Sequence, residues 1–136
     1  MPDLSLKRAA VYAGVGFAAE VAFSAIHDAA RGRRVQLRTS PWMLPIYALI
    51  QPLYEPLHDA MRGRVPVPLR AAVYGIGIMT VEYASGRVLR RFRGEAPWDY
   101  SYARRNIDGL VRPDYFPMWA GEGLALERLH DALRDR

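Results

Sequence analysis

Four stretches of the chain are almost free of charge: residues 9–26, 41–57, 71–86 and 115–127. The first three hold one ionisable residue each, Glu20, Glu55 and Glu82, and the fourth holds Glu122 and Glu127. A helix in a water-soluble bundle carries a polar face, with charges recurring every three or four positions. These stretches lack such a face. They predict helices that are apolar around most of their circumference, with an isolated acid turned toward the interior of a bundle and apolar surface toward lipid. The expected fold class is all-α, a four-helix antiparallel bundle set in a membrane. A buried soluble bundle with arginine-rich loops is the alternative, because the second and fourth stretches fall short of the ~20 apolar residues that span a bilayer. Pro52 and Pro56 predict a bend in the second helix.

The pattern repeats. Ten to seven residues before Glu20, Glu55, Glu82 and Glu127 stand AVYA, PIYA, AVYG and PMWA, which places Tyr12, Tyr47, Tyr74 or Trp119 eight positions ahead of each acid. The first stretch matches the third best and the second matches the fourth, as duplication of a helical hairpin would leave them. The phrase EPLHDAMRGR (55–64) returns as ERLHDALRDR (127–136). The chain therefore reads as one domain over 1–136, built from pseudo-repeats 1–64 and 65–136, with residues 94–113 inserted in the second as an interfacial loop. Eight residues of helix cover ~12 Å, which would put the four aromatic rings near the membrane interfaces as belts.

Composition narrows the function classes. The absence of cysteine excludes disulfides, thiolate zinc sites and cysteine nucleophiles. The formal charge of +5 comes from arginine in short groups (Arg31, Arg33, Arg34; Arg62, Arg64; Arg87, Arg90, Arg91, Arg93; Arg104, Arg105). Each group borders an apolar stretch, as charges flanking membrane segments do, so no nucleic-acid partner is expected. Lys7 and Arg8 before an apolar run resemble the start of a signal peptide, but Glu20 interrupts the run, which reads as a retained first helix. The mean hydropathy of −0.12 is low for a multi-pass protein.

Candidate chemistry rests on the acids. Residues i and i+3 of a helix share a face, so Glu55 with His58, and Glu127 with His130, can both turn inward. Adding Glu20 and Glu82 gives one Glu from two helices and Glu-x-x-His from the other two, the ligand set of di-metal carboxylate bundles. Two divalent cations, Fe or Mn ahead of Zn, would neutralise four carboxylates that otherwise repel one another. Two alternatives stand beside this redox or metal-handling reading. The glutamates could form a polar network with tyrosines or with arginines such as Arg8 or Arg128, or they could mark a proton path. HDAARGR at 27–33 echoes the tail of the repeated phrase, so His-Asp-Ala could equally be a way of ending helices. Substrate and reaction are not legible, and no phosphate loop, H-E-x-x-H or nucleophile elbow occurs.

EYASG (82–86), PWDYS (97–101), Asn106, Gly109, Tyr115 and Trp119 resemble the pattern of the ABC-transporter type IV, or CmpB-like, family of small bacterial membrane proteins and its animal transmembrane relatives. Glu20, WMLPIYA (42–48) and Glu55 extend the likeness over nearly the whole chain. The resemblance implies a mostly helical multi-pass protein of the bacterial inner membrane. Its expected partners are the bilayer and either a larger membrane complex or further copies of itself.

Overall fold

A computed structural model describes residues 5–32, 34 and 40–134. Arg33 of the first arginine group, and the last two residues of the second repeated phrase, lie outside the described residues. The described residues are all-helical: α1 (Leu6–Ala30), α2 (Met43–Ala48), α3 (Ile50–Met61), α4 (Val67–Arg93) and α5 (Phe116–Arg134). Since α2 and α3 are two pieces of one predicted segment, the four expected helices are present.

Local chemistry sets the ends. Ser5 caps α1 by accepting from the Arg8 amide. Pro52 has no amide hydrogen to bond back to Ala48, and the second segment breaks at Leu49, between α2 and α3. Pro56 sits inside α3. Pro68 occupies the first turn of α4, where a missing N–H costs nothing, and Gly94 closes that helix at φ 82° with its amide on the Arg90 carbonyl.

The chain divides into two compact units, Met1–Pro56 and Leu57–Arg136, with the division falling inside α3. The first unit is a hairpin of α1 against α2 and the start of α3. Its contacts run in opposite senses along the chain, Arg8 to Glu55 and Gly16 to Tyr47, so its helices are antiparallel. The second unit pairs α4 with α5 in the same way, from Arg70–Glu127 to Gly75–Phe116. Gly16 and Gly123 are required by this packing: a Cβ on Gly16 would overlap the Tyr47 ring, and one on Gly123 would overlap Tyr74.

Residues 94–113 form an ordered cover on α4. The Trp98 ring lies over Gly86, and its indole N–H donates to the Leu110 carbonyl at 2.9 Å. Asn106 folds the turn by accepting from the Gly109 amide, with Asp108 and Gly109 both at positive φ. Tyr83 donates to Asp108 and Arg90 donates to the Asp108 carbonyl, which ties the turn to the helix. Arg112 stacks on Tyr115 and pairs with Asp114, whose carboxyl it holds below the usual range by hydrogen bonding.

The interior mixes polar with apolar side chains: Tyr12, Tyr74, Leu110 and Val111 are among the buried apolar ones. Buried side chains include Asp28, Gln51, Glu55, His58, Arg70, Glu127 and His130, whereas Ile26, Leu69, Ile76, Val88 and Phe92 are exposed, Phe92 by 81%. Charged residues are almost never fully buried in soluble proteins unless paired. Among the described helices, α1 is long and apolar enough to cross a membrane.

Candidate functional site

The two hairpins build the same clamp. In the first, Arg8 grips Glu55 with two parallel bonds, Nε to Oε1 at 3.0 Å and Nη2 to Oε2 at 3.2 Å. Tyr12 donates to Oε1 at 3.1 Å and Gln51 to Oε2 at 2.9 Å. In the second, Arg70 grips Glu127 with Nε to Oε2 at 2.9 Å and Nη2 to Oε1 at 3.1 Å, and Tyr74 donates to Oε2 at 2.7 Å. Arg62 adds a bond to Oε1 at 2.8 Å. A carboxylate has about four lone-pair positions, and each of these two carries four such bonds. A metal could bind either only by displacing a donor.

The eight-residue spacing has its explanation here. In an antiparallel hairpin, an aromatic residue eight positions before the acid on one helix lies level with the acid of the other. Tyr12 therefore meets Glu55, Tyr47 meets Glu20 and Tyr74 meets Glu127. The fourth pairing differs because position 119 is Trp. Tyr100 of the connection supplies the hydroxyl to Glu82 instead, and burial, followed by that carboxylate, pushes its phenol well above the usual range. Tyr100 thus stays a protonated donor. The rings expected as interfacial belts are in part interior polar contacts, with Tyr12 0% and Tyr74 2% exposed.

The same geometry separates the acids within each unit. Glu20 and Glu55 are bound at different levels of the first hairpin, and Glu82 and Glu127 at different levels of the second, ~12 Å apart along the helices. Of the six residues expected to share a metal centre, the second unit brings His58 and His130 together, with ring centroids 4.5 Å apart and edge to face. Glu20, Glu55, Glu82 and Glu127 stand in the tyrosine pairings and arginine clamps described above.

Around the two histidines the repeated phrase forms a reciprocal junction. His130 Nε2 lies 3.2 Å from Asp59 Oδ1, and Arg134 holds Asp59 Oδ2. Conversely His58 Nε2 lies 3.6 Å from Asp131 Oδ1, and Arg62 holds Asp131 Oδ2 at 3.0 Å. Each copy of His-Asp-Ala-x-Arg engages the other's aspartate, so the phrase occurs twice because both copies are needed. His58, Asp59 and His130 offer donor atoms all within 4.8 Å of one another, a group able to hold a metal ion.

Sequence reasoning missed Arg70, Arg62, Asp59 and Asp131. A signal for Arg70 was present: RAAVY occurs at 8–12 and again at 70–74, which makes Arg70 the counterpart of Arg8. The motif stretches also interlock, since Glu82 and Gly86 of EYASG receive Tyr100 and Trp98 of PWDYS. A family model described as "Putative ABC-transporter type IV" matches residues 9–134. No solved structure matches the chain.

Proposed function

The chain belongs to the ABC-transporter type IV family, and from that premise we propose that it is a non-catalytic membrane subunit of a transport assembly. Its clamped carboxylates, Glu55 and Glu127, hold helical hairpins together and perform no chemistry. The observation that carries this reading is the saturation of Glu55 and Glu127 by arginine, tyrosine and, for Glu55, glutamine. A catalytic or ion-conducting acid needs an open position and a changing charge, and a carboxylate locked by a bidentate guanidinium has neither. Apolar helix surface outside and paired charge inside suit a lipid setting, where an unpaired charge is expensive.

Native electrophoresis of gently solubilised membranes tests the proposal. The chain should migrate within an assembly well above its own 15.4 kDa, and Glu55→Gln and Glu127→Gln should each lower its thermal stability. A chain that migrates alone, or that keeps full stability in both variants, overturns it.

A further inference from the structure

We propose that the junction of the two repeated phrases is a zinc site, with His58, Asp59 and His130 as ligands and a solvent molecule in the fourth position. Around a tetrahedral Zn2+ with bonds of ~2.0–2.1 Å, neighbouring donor atoms stand ~3.3 Å apart. Two of the three edges match, His130 Nε2 to Asp59 Oδ1 at 3.2 Å and His58 Nδ1 to Asp59 Oδ1 at 3.5 Å, and all three donor atoms lie within 4.8 Å of one another. Two imidazoles and one carboxylate are borderline donors that suit zinc, and three protein ligands leave the open position typical of an exchangeable or reactive zinc.

The surroundings are arranged as a metal site needs. With Nδ1 of His58 toward the ion, its Nε2 faces Asp131 Oδ1 at 3.6 Å, longer than a hydrogen bond but in the carboxylate–imidazole–metal order that metal-bound histidines adopt. Arg134 takes the other oxygen of Asp59 and leaves Oδ1 for the ion. The histidines are buried while Asp59 is 38% exposed, so one edge of the group meets solvent and gives the ion an entry path. Arg62 and Arg134 also set a limit, since their positive charge opposes a dication and makes the site exchangeable rather than permanent. This ligand set shares no residue with the arginine clamps, so it stands or falls apart from the subunit reading.

The test uses full-length chain in detergent, purified with a histidine-free tag, stripped by chelator and titrated with Zn2+ and with Co2+. About one ion per chain is expected, with Co2+ giving the intense visible bands of a tetrahedral site. Asp59→Asn, which keeps the size and a hydrogen bond to His130, should weaken binding at least ~10-fold. His58→Gln should do the same, and Glu55→Gln should bind as the native chain does. If His130→Ala fails to fold, Asp59→Asn decides the matter. No stoichiometric zinc, an octahedral Co2+ spectrum, or undiminished binding by Asp59→Asn overturns the proposal.

Discussion

At the scale of single residues, the clamped glutamates govern stability because their charge is buried with its partners. Glu127 is 4% exposed and Arg70 8%. Removing one member of such a pair leaves an uncompensated charge and costs about 3–5 kcal/mol, whereas replacing both by apolar groups of similar volume can be nearly neutral. Glu127→Leu alone should therefore lower stability by roughly that amount. Adding Arg70→Met should recover part of the loss, read as non-additivity in thermal unfolding followed by circular dichroism. Tyr74→Phe removes one hydrogen bond to a charged acceptor and should cost about 1.5–3 kcal/mol. The burial of these acids was legible, because nothing else explains a lone carboxylate in an apolar run. The identity of their partners was legible in part: Arg8 and the tyrosines were among the expected partners and meet Glu55 and Glu127, whereas Arg70 is signalled only by the repetition of RAAVY.

At the scale of elements, the hairpin is the repeated object, and its register is set by small residues where a ring comes close. Gly121 and Gly123 sit two apart on α5 in opposite situations. A methyl at 121 meets nothing within 4 Å, while one at 123 overlaps the Cβ and ring of Tyr74. Gly121→Ala should raise stability by up to about 1 kcal/mol through helix propensity. Gly123→Ala should lower it by about 1–3 kcal/mol or more by forcing α4 and α5 apart, and matched melting curves in one detergent will separate the two. Helix number, the proline-induced break and the duplicated hairpin were readable from the chain. The level of the acids was not: an antiparallel pair can slide to several registers, one of which would gather the glutamates at a common height, and the register found sets Tyr12 against Glu55 and Tyr47 against Glu20 instead. The internal order of residues 94–113 was also hidden, since Trp98 over Gly86 and Tyr100 on Glu82 are long-range contacts with no periodic trace.

At the scale of the whole molecule, what separates a membrane protein from a soluble one is which surface meets water. Apolar side chains on the outside of α4, such as Ile76 at 59% exposure, would be a liability in a soluble protein and are ordinary against acyl chains. Arginines of the connection, Arg104 and Arg105, are exposed in a segment rich in Trp and Tyr, the composition of a membrane–water boundary. The chain contains no cysteine, so single substitutions report their own surroundings. In opened native membranes, Arg104→Cys should react quickly with a charged, membrane-impermeant maleimide. Ile76→Cys should stay unlabelled until the membrane is dissolved in denaturing detergent, and a nitroxide carried on a lipid chain should quench a probe placed there. Equal labelling of both positions in intact bilayers would mean that the apolar face meets water. The buried arginine clamps would then belong to a soluble helical protein, and the membrane-subunit reading would fail with them.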